Sequence, residues 1–386
     1  MPITYPYLQY GGIWTTSQAT DAVASGTWPI PPTPKLFSWG SNGSGQLGLG
    51  NTTYYSSPKQ VGSLTTWLYV ASGIYSGYSI KTDGTLWSWG SNAYGNLGTS
   101  NTTNYSSPKQ VGALTNWSKV ASKGTFCVAI KTDGTLWGWG QNDNGQLGLN
   151  NLTYAISSPT QIGALTTWSW VDVGYLHTIA TKTDGTLWSW GSGATYGALG
   201  LGNTTRYSSP KQVGSLTNWL YVACGRYFSL ASKTDGTLWT WGQNNGGGQL
   251  GLGDTTNRSS PVQIGTLTNW SLFKSGLNST ISTKTDGTLW SWGANSLGEL
   301  GQGNITNYSS PKQVGSLTNW YIVACGHSNG LSIKTDGTLW SWGRNQGGQL
   351  GLGNTTYTSS PQQVGSLVTW SAISGGRSYT LAIAKT

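Results

Sequence analysis

The chain is poor in the residues that do chemistry. Its 386 residues include two histidines, His177 and His327, three cysteines, and one glutamate, Glu299. Neither histidine has a Cys or carboxylate neighbour at metal-ligand spacing, so no catalytic group, metal or cofactor is expected. The cysteines suggest no disulfide framework: Cys224 and Cys325 fall at one repeat position two copies apart, and Cys127 lies in another register. They read as reduced, buried small side chains. No apolar run approaches the ~20 residues of a membrane span, so no transmembrane segment or membrane insertion is expected. Met1 to Tyr7 also lacks the basic and apolar regions of a signal peptide. Charge is sparse too, at 8% of residues, with 20 Lys and Arg against 11 Asp and Glu.

What the chain has is repetition. Trp-Gly recurs at Trp39, Trp89, Trp139, Trp190, Trp241, Trp292 and Trp342, at intervals of 50, 50, 51, 51, 51 and 50 residues. Six copies carry Lys-Thr-Asp-Gly-Thr-Leu, starting at Lys81, Lys131, Lys182, Lys233, Lys284 and Lys334. The seventh is divided: the chain ends Ala384-Lys385-Thr386, so that Lys385-Thr386 matches Lys81-Thr82 and Asp-Gly should come next, and Lys35 to Trp39 aligns with Thr85 to Trp89. A closed ring uses such a division to pair its first strand with its last and leave no open sheet edge.

Within one copy the signals are all β. Asp83-Gly84 lies between β-prone runs and reads as a two-residue hairpin turn. Strand alternation then places Trp87 and Trp89 on one face and Leu86 and Ser88 on the other, which suits sheets stacked on both sides. With further strand signals at Ser57 to Val61 and Trp67 to Gly73, and a glycine-dense loop from Asn42 to Gly50, about four strands fit in one copy, as in a propeller blade.

The basic balance, a net charge of +9, raises nucleic acid as a partner. Six of the lysines, however, precede the hairpin Asp by two residues, where each partly compensates its neighbour. Lys59, Lys109, Lys211 and Lys312 share another repeat position, which Thr160, Val262 and Gln362 fill in the other copies. A phosphate-reading ring would not be left so incomplete, so a mildly basic solvated surface is expected and nucleic acid is not. Asn51-Thr52-Thr53 and its equivalents read as turns rather than glycosylation sites.

The order Asp-Gly-Thr-Leu-Trp-Ser-Trp-Gly-Ser-Asn, Gly-Gln-Leu-Gly-Leu-Gly, Ser-Pro-Lys-Gln-Val and Val-Ala-Ser-Gly closely resembles the repeat of the regulator of chromosome condensation family. The resemblance covers residues 35–386 and implies an all-β, seven-bladed β-propeller. It does not carry over the founding member's functions. Nucleotide exchange on Ran uses an insertion for which this period leaves no room, and chromatin attachment uses a basic tail, whereas residues 1–34 hold no Lys or Arg.

Residues 11–29 resemble the short leader of structural proteins of cyanobacterial tailed phages, and Pro29 to Pro34 reads as a stiff linker. Tyr5, Tyr7, Tyr10, Trp14 and Trp28, with almost no charge between them, form a candidate anchor to other virion proteins. The plainer alternative is a tail that is disordered or lies on the propeller. A partner-binding surface is expected where the copies differ, just after the Val-Ala-x-Gly strand. That annulus takes in Ile74-Tyr75-Ser76, Thr125-Phe126-Cys127, Tyr175-Leu176-His177, Arg226-Tyr227-Phe228, Leu277-Asn278-Ser279, His327-Ser328-Asn329 and Arg377-Ser378-Tyr379. Its candidate contacts are Tyr75, Phe126, His177, Arg226, Tyr227, His327, Arg377 and Tyr379, a palette common at interfaces. A second candidate is the loop series Tyr54, Tyr55, Tyr105, Tyr154, Tyr207, Tyr308 and Tyr357, which can stack on sugars or pack blade edges. The expectation is a non-enzymatic virion protein, its propeller displayed on capsid or tail for decoration or adhesion, touching a host-surface protein or glycan. The alternatives are a soluble, inhibitor-like protein-binding propeller and a glycan-binding lectin.

Overall fold

Each Asp-Gly step does make a hairpin, and its side chains brace it. In the computed structural model, which describes residues 33–193 and 196–386, Asp83 Oδ1 accepts from Thr85 N at 2.9 Å and from Thr85 Oγ1 at 2.7 Å. Thr85 Oγ1 in turn accepts from Trp87 Nε1 at 2.9 Å. Gly84 supplies the positive φ of 75° that the turn requires. The same relay recurs in the other Asp-Gly copies, for instance through Asp336, Thr338 and Trp340. The anchor residues Tyr5, Tyr7, Tyr10, Trp14 and Trp28 lie outside the described residues.

The described residues form strands β1 to β28 in chain order, grouped as seven four-stranded antiparallel sheets. One blade runs β3 (Trp67–Ser72), β4 (Ser76–Lys81), β5 (Leu86–Gly90) and β6 (Tyr105–Gln110) from the axis outward. Calling this blade 2, blades 3 to 7 follow in order. Blade 1 combines β1 (Pro34–Gly40) and β2 (Tyr55–Gln60) with β27 (Trp370–Gly375) and β28 (Tyr379–Lys385). The ring closes where β1 pairs with β28 over seven residue pairs, from Pro34 with Lys385 to Gly40 with Tyr379. Residues 34–386 are one compact unit.

Tryptophan holds the blades together in two ways. Trp67 lies edge-on to Trp87 and Trp89, with centroids 6.2 and 6.4 Å apart, while Leu86, on the opposite face, packs with Val111, just past β6, and with Trp117 and Trp139 of blade 3. The Trp-Gly indole then bonds to the preceding blade: Trp89 Nε1 donates to Gln46 O at 2.9 Å, and Trp139 to Asn96 O at 2.9 Å. The same bond crosses the closure, from Trp39 Nε1 to Gln349 O at 2.9 Å. Each indole also covers a glycine. A Cβ at Gly98, whose φ is 71°, would meet Trp139 Nε1 at 2.9 Å, so no other residue fits there without displacement.

Two details differ from the sequence reading. The repeated lysines do feel the charge of the hairpin aspartates, without a close ion pair, but they are not solvated. Lys81 is 7% exposed, and its Nζ lies 3.8 Å from the centroid of Trp87 and 5.0 Å from that of Trp67. The ammonium is thus clamped between two indoles, an arrangement present in all six copies, as at Lys334 over Trp340 and Trp320. In blade 1 the lysine register is taken by Ala384, which pairs with Trp370 as Lys81 does with Trp67. Lys385 therefore aligns with Thr82, one residue from where the sequence placed it, and Phe37 packs edge-on to Trp370 at 5.4 Å.

The incomplete lysine series has a local cause. Lys59, Lys109, Lys211 and Lys312 each reach the ring of the tyrosine four residues earlier, at 5.6, 5.5, 5.7 and 4.4 Å from the centroids of Tyr55, Tyr105, Tyr207 and Tyr308. The copies without the lysine also lack the tyrosine, having Ile156, Arg258 and Thr358 instead. The pair is an outer-strand brace that is kept or lost as a unit.

Candidate functional site

The loops that follow the seven inner strands meet around the axis at one end of the ring, the upper face. Antiparallel order sends every Asp-Gly hairpin to the opposite, lower face. Backbone bonds join neighbouring loops around most of the ring: Tyr175 N donates to Arg226 O at 3.2 Å, Arg226 N to Leu277 O at 3.2 Å, Leu277 N to His327 O at 3.0 Å, His327 N to Gly376 O at 3.3 Å, and Ile74 N to Gly124 O at 3.5 Å. The residues that break the repetition are therefore gathered on one continuous rim.

Across that rim Tyr175 of blade 4 reaches His327 of blade 7, its hydroxyl 2.9 Å from Nε2 and the rings 5.6 Å apart. The two side chains close the mouth of the axial channel. The Arg226 guanidinium lies 5.4 Å from the Tyr175 centroid and 4.9 Å from that of Tyr227. On the far side Arg377 lies 5.4 Å from the Tyr75 ring and donates to the Tyr75 hydroxyl. Burial lowers the His327 imidazole to about 3, and Lys123, Arg377, Arg344 and Arg226 push it the same way, so it is neutral. Burial also raises the Tyr175 phenol to about 12, against the pull of Arg226 and Arg377. Arg344 borders a shallow polar cleft of ≈ 260 Å³ with Ser41, Tyr54, Gln346, Gly347 and Ser378.

Below the mouth a charged cluster spans the channel. Lys123 of blade 3 stands where the other copies have Gly73, Gly174, Gly225, Gly276, Gly326 and Gly376. Its ammonium crosses the axis to donate to the carbonyls of Cys224 in blade 5 and, at 2.6 Å, Ser275 in blade 6. Asp172, in an inner-strand position held by Ala in four copies, accepts from Val173 N at 3.0 Å and Cys224 N at 2.9 Å. Burial works against a charge on Lys274, but Tyr221 and Asp172 outweigh it and hold the amine above its ordinary value. This cluster is a tie across the ring, with its donors and acceptors already matched.

The predicted annulus is thus gathered only in part. Tyr75, Arg226, Tyr227, His327 and Arg377 line the mouth. Phe126, His177 and Tyr379 do not: each begins the strand after the loop, where the side chain turns inward, and each is 0% exposed. His177 bonds Ser229 at 2.9 Å, and burial lowers its imidazole to about 3. Tyr379 donates to Ser76 O at 2.7 Å. Tyr175 takes the role assigned to His177, while Lys123, Asp172, Lys274 and Arg344 were missed. The signal for the first three was available, since each replaces a small residue repeated in most other copies. In the tyrosine series, Tyr54, Tyr154 and Tyr357 are exposed, whereas Tyr55, Tyr105, Tyr207 and Tyr308 are half-buried under the lysine braces.

Among the described residues no three His, Cys, Asp or Glu side chains are placed to hold a metal, and no helix is long and apolar enough to cross a membrane. All three cysteines are free and buried. Regulator of chromosome condensation repeats match residues 286–333 and 336–383. The mitochondrial RCC1 domain-containing protein RUG3 of Arabidopsis thaliana is 34% identical over 143 residues, 36% of this chain and 32% of the relative. The ultraviolet-B receptor UVR8 of the same plant is 36% identical over 129 residues, 32% of this chain and 29% of the relative. The matched stretches thus span about a third of those relatives' length. Prp20p of Saccharomyces cerevisiae, a structure reported with its binding to Gsp1p and histones, superposes with a TM-score of 0.81 at 20% identity, covering 91% of each chain. With residues 33–274 also matched by the model of the RCC1-like domain, the chain belongs to the RCC1-like domain family.

Proposed function

We propose that this chain is a non-enzymatic binding propeller whose upper mouth contacts another protein. The observation that carries this reading is the one-sided gathering of departures from the repeat. Blade packing explains the shared tryptophans, glycines and lysines, but it requires none of Tyr75, Arg226, Tyr227, His327 or Arg377, which differ between copies and meet on one rim. Aromatic and Arg side chains are the types that carry most of the energy of protein interfaces. One family relative, UVR8, bears the name of a receptor, and Prp20p is reported to bind Gsp1p and histones.

At finer grain, the resemblance of residues 11–29 to phage leaders supports a virion structural protein. Its propeller is displayed on capsid or tail, and residues 1–34 serve as the anchor, with Tyr5, Tyr7, Tyr10, Trp14 and Trp28 as contacts. Removing residues 1–34 tests this. The truncated chain should keep its β-rich circular dichroism and cooperative melting while no longer co-purifying with phage particles. Undiminished incorporation of the truncated chain, or absence of the intact chain from particles, contradicts the anchor.

A further inference from the structure

We infer that the upper mouth is a carboxylate-binding site that takes an acidic segment of a protein partner. The inference rests on the reading of the upper face as a contact surface and adds its chemistry.

The cations of this ring are distributed unevenly. The six hairpin lysines are clamped between indoles at the lower end, and four more cover tyrosines on the outer strands. Lys123 is committed to carbonyls across the channel. Lys119 donates to Ser169 O at 2.7 Å and Arg206 to Asp143 O at 3.1 Å, and Lys274 lies 5.3 Å from the Tyr221 centroid. Arg258 pairs with Asp254, and Lys35 and Lys385 stand on the closing strands β1 and β28. Arg226, Arg344 and Arg377 remain, and all three stand at the mouth, on blades 5, 7 and 1.

No carboxylate among the described residues answers them. Six aspartates brace the lower hairpins through Thr residues such as Thr85 and Thr338. Asp172 is bonded to backbone amides inside the channel. Asp254 forms an ion pair with Arg258 at 2.6 Å, and Asp143 accepts from Gln141 and Asn144 at 2.9 and 3.1 Å. Glu299 is buried and accepts from Leu297 N at 2.7 Å. The three guanidiniums instead stack on Tyr175, Tyr227 and Tyr75 or bond the Gln346 amide, contacts that leave most of their N–H donors available to an anion.

Polar capacity is also left over beneath the rim. Asn329 is 2% exposed, lies against Gly326 of the mouth loop, and has no hydrogen-bond partner for either amide atom. Arg226 Nε likewise has none. Guanidinium forks match carboxylates two bonds at a time, and water-poor aromatic walls strengthen each bond. The shape narrows the choice of anion. Tyr175 and His327 block the axis, so the ligand lies across a shallow bowl. The mouth arginines stand on blades 5, 7 and 1, with none on blade 6 between them, and make no continuous basic track of the kind a nucleic-acid backbone follows.

The test measures binding of a fluorescein-labelled peptide of ten glutamates, and of its ten-glutamine counterpart, to the intact chain. The triple variant R226Q/R344Q/R377Q is compared with K59Q/K109Q/K211Q, which removes the same charge from the outer edge. The site predicts binding of the glutamate peptide alone, weakened about tenfold or more by the mouth variant and less than about threefold by the edge variant. Equal weakening by both variants reduces the effect to net charge and overturns the site. Tighter binding of inorganic polyphosphate, lost in the mouth variant, keeps the contact face but overturns the acidic segment. No peptide binding, with photo-cross-links still formed from the rim to a partner, does the same. If the triple variant fails to fold, Arg377→Gln on the exposed rim still has to weaken peptide binding severalfold.

Discussion

At the scale of single residues, the lysine and tryptophan clamp and the two buried histidines set the strongest expectations. Lys131 lies 3.6 Å from the Trp137 centroid and 5.0 Å from that of Trp117, and is 6% exposed. Lys131→Gln should cost about 1 to 2 kcal/mol in urea unfolding, whereas replacing the exposed Lys211, which covers half-buried Tyr207, by Gln should cost about 0.5 kcal/mol. Equal costs would reduce the clamp to a general charge effect. His177 and His327 are both held neutral, near 3, by burial first and by Lys123 next. An unfolded histidine titrates near 6.5, so the unfolded chain binds more protons below that value. The stability these groups allow is present above pH 6.5 and is lost as pH falls toward 3, by about 1.4 kcal/mol per pH unit for each histidine. Melting temperature should therefore fall between pH 6.5 and 4, and His327→Gln should remove about half of that slope. A flat profile in this window contradicts the neutral assignment.

At the scale of elements, the seven indole-to-carbonyl bonds make the blade interface a matter of close approach. Gly98→Ala places a methyl group against Trp139 in a left-handed backbone, and should cost about 2 to 4 kcal/mol. Gly112→Ala also has positive φ but meets nothing within 4 Å, and should cost only about 1 kcal/mol. The difference, read in urea melts with tryptophan fluorescence, isolates the interface from backbone strain. The hairpins, the alternation of Trp87 with Leu86 and the four-strand blade were legible in the sequence because each depends on neighbours within a dozen residues. The lysine clamp was not, because Lys81 and Trp67 are brought together by strand pairing rather than by spacing. The division of the annulus was hidden for a related reason. Strand β4 begins one residue after Tyr75, and its equivalents turn Phe126, His177 and Tyr379 inward just past the loop.

At the scale of the whole molecule, ring closure and the one-sided rim are the two properties that matter. Closure was legible because the divided copy has no use in an open stack, and β1 with β28 replaces the covalent hairpin by seven paired residues. Linking residue 386 to residue 34 through Asp-Gly and opening the chain between Asp235 and Gly236 should give a circular permutant. It should melt cooperatively within a few degrees of the parent, since every blade keeps its four strands. Non-cooperative melting would show that the paired termini hold more than one blade. The rim was legible only as a list of differences between copies. The contact of Tyr175 with His327 and the path of Lys123 join blades three apart and depend on the closed ring. The central claim is that function resides on this upper rim, while the repeated residues only hold the ring that carries it. It is tested most directly by a photo-reactive phenylalanine at Tyr75 on the upper rim, compared with one at Leu216, which is 49% exposed on the lower face. In the native particle or cell, heteromeric cross-links are predicted from position 75 and not from 216. Cross-links from 216 alone, or equally from both, would contradict it.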